Sequence, residues 1–272
     1  MHGFFTRLRG DRNGAAAPAF TRGARMYCIG DIHGRADLLE QLQALIRADS
    51  AAWEGRKKVL YLGDYIDRGP DSQQVIDRLL YEPLPGFEQI CLLGNHEQAL
   101  LDFLEYPDHA AGWLGFGGLA TLLSYGVRLE RPPAASDPVT LSEALRRKLP
   151  PAHLDFFNGL ARFHQEGSYA FVHAGVRPGI PLEEQAPDDL LWIREEFTRH
   201  ASPHEYIIVH GHSITEQAEL LPNRIGIDTG AFHTGVLTCL VLEGSGQRLL
   251  QTGPGPDPGL PGPGGAAGSR PW

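Results

Sequence analysis

The sequence predicts an α/β protein with a largely parallel sheet and a polar crevice along one sheet edge. Three short apolar runs each end in a glycine and a polar cluster, and each is followed by a helix-compatible stretch. Three later apolar runs end in histidine or aspartate. The polar residues closing the first three runs, Asp31, Asp64 and Asn95, stand 33 and 31 residues apart. That interval is the length of a strand–loop–helix unit of roughly 30 residues.

Met26–Ile29 reads as the first strand and closes in Gly30-Asp31-Ile32-His33-Gly34. A helix over Ala36–Asp49 follows, with Leu38, Leu39, Leu42, Leu45 and Ile46 on one face. Val59–Leu62 is the second strand, closing in Gly63-Asp64-Tyr65-Ile66-Asp67-Arg68-Gly69, with Ser72–Tyr81 as its helix. Glu88–Leu93 is the third, closing in Gly94-Asn95-His96-Glu97, and Glu97–Tyr106 continues as a helix. Successive parallel strands present their C-terminal ends on one edge, because each crossover helix returns the chain to the starting side. The three motifs are therefore expected to converge in the crevice where open α/β sheets bind ligands.

From Asp108 to Gly167 the rhythm breaks. A Gly-rich turn (Gly115, Gly117, Gly118), a loop with Pro132 and Pro133, and amphipathic stretches near Leu141–Leu149 and Ala152–Phe163 predict a helical cap insertion beside the site. The strand pattern resumes with Tyr169–Val172 ending at His173, Tyr206–Val209 ending at His210-Gly211-His212, and Arg224–Ile227 ending at Asp228. Val236–Leu242 reads as an antiparallel strand. Residues 1–25 are expected to be a flexible leader and 251–272, rich in Gly and Pro, a disordered tail. The domain itself is expected over 26–250.

Bulk properties narrow the class. Hydrophobic residues make up 42% of the 272, and no apolar run approaches the ~18 residues of a membrane span. Five arginines before residue 26 lack an apolar neighbour segment, so the start does not read as a secretory signal. A net charge of −9 without a basic block argues against nucleic acid as partner. Cys28, Cys91 and Cys239 fit neither a disulfide framework nor a CxxC site, which reads as buried thiols in a reducing, cytoplasmic setting.

Asp31, His33, Asp64, Asn95, His173 and His212 together make a mixed oxygen and nitrogen set. Such a set suits divalent manganese, iron, zinc, cobalt or nickel better than calcium or magnesium. Asp64 is best placed to bridge two ions, and an ion pair about 3.5–4 Å apart can activate water for in-line displacement at phosphorus. Arg68 offers a planar fork for phosphate oxygens. His96 can protonate a leaving oxygen, with Asp67 orienting its imidazole. His210 competes with His212 as ligand. The other histidines, His2, His109, His153, His164, His200 and His204, read as solvent-facing or capping.

The Gly-Asp-Ile-His-Gly, Gly-Asp-Tyr-Ile-Asp-Arg-Gly and Gly-Asn-His-Glu motifs, with His173-Ala174-Gly175 and Gly211-His212, resemble the phosphoprotein phosphatase signature within the calcineurin-like metallophosphoesterases. The resemblance runs from about Met26 to Leu242 and is strongest to bacterial and phage-type serine/threonine phosphatases. It implies two packed sheets flanked by helices, and two divalent ions with manganese first among the candidates. Asp31 and His33 would hold one ion, Asp64 would bridge, and Asn95, His173 and His212 would hold the other. It also implies an acid pair of His96 with Asp67, and phosphate binding by Arg68 and Arg194. By the same analogy His212 is preferred over His210. A tyrosine that the eukaryotic enzymes carry near the site has no counterpart in Asp228–Gly235, where Phe232 and His233 stand nearest.

The implied reaction is phosphomonoester hydrolysis of phosphoserine or phosphothreonine by direct attack of a hydroxide held between the ions. The rival is the symmetrical dinucleoside tetraphosphatase, which tends to show Ala-Arg-Gly and Gly-Asn-His-Asp where this chain has Asp67-Arg68-Gly69 and Glu97. A phosphoprotein or a small phosphoester is thus the expected partner. An inactive binding module that keeps the fold is the remaining alternative.

Overall fold

The computed structural model describes residues 18–129, 132 and 136–253. Residues 1–17 and 254–272, which hold most of the expected flexible leader and tail, lie outside the described residues.

The first half builds three β–α units: β1 (Ala24–Ile29), α1 (Ala36–Ser50), β2 (Arg56–Tyr61), α2 (Ser72–Tyr81), β3 (Phe87–Cys91) and α3 (Asn95–Glu105). β1 pairs in parallel with β2, and β2 with β3. β9 (Thr238–Glu243) lies antiparallel on the other side of β1, and β10 (Gly246–Gln251) completes a sheet of order β10-β9-β1-β2-β3. A second sheet, order β4-β5-β6-β8-β7, comprises β4 (Phe163–Glu166), β5 (Tyr169–Val172), β6 (Ile207–His210), β7 (Glu219–Leu220) and β8 (Arg224–Gly226). Within it β5, β6 and β8 run parallel.

Strand alternation explains how the sheets stack, since neighbouring residues face opposite sides. Tyr27, Ile29, Val59 and Tyr61 face α1, α2 and α3, whereas Met26, Cys28, Leu60 and Leu62 pack with Tyr169, Phe171, Val209 and Ile225 of the second sheet. The far face of that sheet, with Ala170, Val172 and Ile208, is covered by Leu190, Ile193 and Phe197 from the segment of α7 (Pro187–Trp192) and α8 (Glu195–Thr198). The result is the expected pair of packed sheets flanked by helices.

Several boundaries move. Phe20 is buried and its amide bonds to the Gly244 carbonyl, so the chain is tied down well before residue 26. At the other end β10 runs through Gln251, and Thr252 Oγ1 accepts from the Leu237 amide. Leu45 is 41% exposed while Gln43 is buried beneath α1, its amide reaching the Tyr61 hydroxyl at 3.4 Å.

The insertion differs most from expectation. It holds a 3₁₀ helix (Ala111–Phe116), α4 (Gly118–Ser124), α5 (Pro138–Lys148) and α6 (Pro151–Asn158). α5 starts on an Asp137 cap, and both α5 and α6 open on proline, which suits a first helical position. Leu141, Leu145, Leu149 and Phe157 join the same core as α1 to α3, so α5 and α6 extend the helical layer, while the 3₁₀ helix and α4 reach Asp67. Phe163 is in a strand and not in the second helix: a two-residue turn at Gly167 (φ 60°) folds β4 back on β5.

Candidate functional site

All six candidate ligands sit just past strand ends or, for Asn95, at the first residue of α3. Each is at most 5% exposed. β1, β2 and β3 bring Asp31, His33, Asp64 and Asn95 to one edge; β5 and β6 of the packed sheet bring His173 and His212 to the same place.

Asp64 stands at the centre. Its Oδ2 lies 3.4 Å from His33 Nε2 and 3.8 Å from His96 Nε2, while its Oδ1 lies 3.4 Å from His173 Nε2. The two carboxylate oxygens therefore face two different imidazole groups. Asn95 Oδ1 is within 2.8 Å of His173 Nε2 and 2.9 Å of His212 Nδ1. Asp31 accepts from the His212 amide at 3.0 Å, which ties the first motif to the last. Two trios, His33 with Asp64 and His96, and Asp64 with His173 and His212, each hold their ligand atoms within 4.8 Å.

Among the described residues, the non-glycine residues with positive φ are His33, Asp64, Asp67, Arg68 and His212. Left-handed backbone is uncommon for such residues and concentrates at functional sites. The close approaches also need glycine: a Cβ on Gly94 would strike the amide and carboxylate of Asp64, and one on Gly211 would strike Asp31.

Electrostatically the pocket is arranged for a cation. Burial holds the His33 imidazole down to about 3, and burial likewise lowers His173 and His212, so these rings are neutral and carry free lone pairs. His33 Nε2 and His212 Nε2 are buried with no hydrogen-bond partner. Burial, then Asp228 and Asp64, pushes the Asp31 carboxyl well above the usual carboxylate range. Neutral imidazole nitrogens packed against carboxylate and amide oxygens, His33 Nε2 on Asp64 and His173 Nε2 with His212 Nδ1 on Asn95, are what divalent cations relieve, so the donor set fits two such ions.

His210 points elsewhere. Its ring stacks edge-on against Phe197 (4.9 Å) and sits over Gly226. The structure thus brings His212, and not His210, to Asp64.

The residues expected to handle protons form a buried chain of contacts. His96 Nδ1 is 2.6 Å from Asp67 Oδ2, and Asp67 also accepts from Trp113 Nε1 (2.7 Å) and Thr121 Oγ1 (2.5 Å). Burial works against protonation of His96, but Asp64 and Asp67 outweigh it and hold its pKa above the ordinary imidazole value. Arg68 Nη2 lies 3.2 Å from His96 Nε2 with its guanidinium over the Phe232 ring at 4.7 Å. Arg194, solvent-exposed, reaches the His212 carbonyl through Nη1 at 3.4 Å.

Four residues escaped the sequence reading. Glu97 braces the Asp64 turn, taking the amides of Asp64 and Gly94 on Oε2 and those of Tyr65 and Ile66 on Oε1. Trp113 and Thr121, from the insertion, fix Asp67. Asp228, 2% exposed, presses on Asp31. Two had a local clue: Glu97 holds the third position of a helix, where a carboxylate reaches back to the cap amide, and Asp228 closes an apolar run as His173 does. Among the remaining histidines His153 is fully buried, against the solvent-facing expectation.

A family model described as calcineurin-like phosphoesterase matches residues 24–228. The asymmetrical bis(5'-nucleosyl)-tetraphosphatase PrpE of Anoxybacillus flavithermus is 25% identical over 78% of this chain and 88% of its own. The symmetrical bis(5'-nucleosyl)-tetraphosphatase of Nitrosospira multiformis is 30% identical over 58% of this chain, which spans only 46% of that relative. A solved structure provisionally assigned as a diadenosine tetraphosphatase aligns with a TM-score of 0.58 at 22% identity, covering 86% of this chain and 96% of its own. A Saccharomyces cerevisiae protein serine/threonine phosphatase aligns at 0.52 with 13% identity over 87% and 82%. These two structural likenesses establish a shared fold. With residues 24–228 matched from β1 to Asp228, the chain belongs to the calcineurin-like phosphoesterase family of metal-dependent hydrolases.

Proposed function

We propose that this chain hydrolyses dinucleoside tetraphosphates at a dinuclear centre. Asp31 and His33 would hold one ion, Asn95, His173 and His212 the other, and Asp64 would bridge them. The observation carrying the dinuclear reading is that the two oxygens of Asp64 face separate imidazole groups, His33 with His96 and His173. Manganese heads the candidates by the family resemblance, and donors that mix carboxylate, amide and imidazole admit iron, zinc, cobalt and nickel as well.

When bound, such an ion pair supplies an activated water nucleophile and neutralises charge on the phosphoryl oxygens. The protein's own groups do the rest. Arg68, and Arg194 from the link between α7 and α8, offer forks to the non-bridging oxygens. His96, oriented through Nδ1 by Asp67, presents Nε2 towards Asp64 and can deliver a proton to the departing oxygen. Asp67 is in turn pinned by Trp113 and Thr121, which fixes the imidazole's direction.

The substrate reading differs from the phosphoserine or phosphothreonine expectation. The relatives with the higher identities carry nucleotide-hydrolase names, 25% over most of the chain and 30% over part of it. The protein serine/threonine phosphatase appears at 13% identity, which speaks to fold alone. Asp67 and Glu97, standing where the symmetrical enzymes tend to show Ala and Asp, are what favour the protein-phosphatase alternative. Comparing kcat/KM for diadenosine tetraphosphate and a phosphothreonine peptide decides between them. A preference for the dinucleotide is expected, and a tenfold preference for the peptide would overturn the proposal. Product chromatography then gives the bond cut: ADP alone for symmetrical cleavage, ATP with AMP for asymmetrical.

A further inference from the structure

Two solvent-exposed aromatic rings flank the ligand cluster on different sides. Trp192, 43% exposed, meets the His212 ring edge-on at 6.3 Å. Phe116, 40% exposed, meets the His96 ring edge-on at 5.3 Å. His212 belongs with His173, on the Oδ1 side of Asp64, and His96 belongs with His33, on the Oδ2 side. The rings therefore stand at opposite ends of the centre.

Neither ring is loosely held. Trp192 ends α7 between Leu191 and Ile193, both buried, and Phe116 ends the 3₁₀ helix that buries Trp113. A single exposed aromatic is ordinary on a protein surface. Here each ring is paired with an arginine at the same residue: Arg194 Nη1 reaches the His212 backbone carbonyl, and Arg68 Nη2 the His96 imidazole. An aromatic face beside a cationic fork is the combination that takes a nucleobase and its phosphates.

We propose that Trp192 and Phe116 are the stacking platforms for the two nucleobases of a dinucleoside polyphosphate, with Arg194 and Arg68 steering the phosphates between them. The inference rests on the dinucleotide reading above and adds to it the residues that make the site prefer a nucleotide at both ends.

The test is steady-state kinetics of the manganese-loaded full chain on diadenosine tetraphosphate and p-nitrophenyl phosphate, which has no nucleobase. Trp192→Ala and Phe116→Ala should each raise KM for the dinucleotide about tenfold, the size expected from losing one stacked base. The kcat/KM ratio of the two substrates should fall by the same factor, and Trp192→Phe should recover most of it. AMP titrated into the metal-free protein should change tryptophan fluorescence in the wild type and leave W192F unaltered. Parallel losses on both substrates, or none on either, would overturn the inference, and a shift in only one alanine variant would overturn the two-ended arrangement. A wild type that favours p-nitrophenyl phosphate over the dinucleotide would instead sink the substrate reading itself.

Discussion

Asp64 occupies a left-handed backbone conformation (φ 53°) that its Cβ disfavours, and Glu97 is what holds it there. One buried carboxylate takes four amides, three consecutive ones from Asp64 to Ile66 and that of Gly94, which leaves no room for a donor in its place. Glu97→Gln puts an amide NH₂ against two of those N–H groups, at a cost of about 2 kcal/mol or more. Thermal denaturation should show a Tm several degrees lower, and an unchanged Tm would remove Glu97 from this role. His96 gives a pH test. Its raised pKa keeps the proton to higher pH, so acid-dependent activity persists below that pKa and is lost as pH rises through it. Asp67→Asn removes one contribution that raises it, and the alkaline limb of the pH–rate profile should move to lower pH while kcat falls about a hundredfold. The candidate ligands were legible because metal chemistry restricts residue type and each follows a strand-like apolar run. Trp113 and Thr121 were not, because they act across long sequence separations that no local pattern encodes; Asp228 stood at a strand end, but its closeness to Asp31 did not show.

At the level of elements, strands and helices with strong periodicity read well: α2 and β5 fall on their expected residues, and β1, β2 and β3 shift by only a few. The insertion read poorly, because amphipathic helices show which face is apolar but not what that face meets. His153 shows the consequence. It bridges α6 to the Tyr125 hydroxyl (2.8 Å) after α4 and to Asp77 (3.1 Å) in α2. Burial lowers its pKa, with Asp77 opposing. A folded-state pKa below the unfolded value of about 6.5 adds stability above that pH and withdraws it as pH falls. In chelator-treated protein, Tm should therefore drop between about pH 7.5 and about pH 5.5, and His153→Gln should flatten that slope. An equal slope in the variant would show that the docking of α6 does not depend on the neutral imidazole.

For the whole molecule, the packed sheets are what complete the centre. The first sheet delivers Asp31, His33, Asp64 and Asn95, the second delivers His173 and His212, and the apolar layer of Met26, Cys28, Leu60, Phe171 and Val209 fixes one against the other. Ions bound across that junction stabilise only the assembled state. Manganese at a hundredfold over its Kd should add about 2.7 kcal/mol, read as a rise in Tm, and Asp64→Asn should abolish most of that rise. The most direct test of the dinuclear centre is anomalous diffraction from manganese-loaded crystals. The account predicts two peaks about 3.5–4 Å apart, sharing Asp64, with Asp31 and His33 on one and Asn95, His173 and His212 on the other. A single peak, or a second ion held by His210 in place of His212, would contradict it.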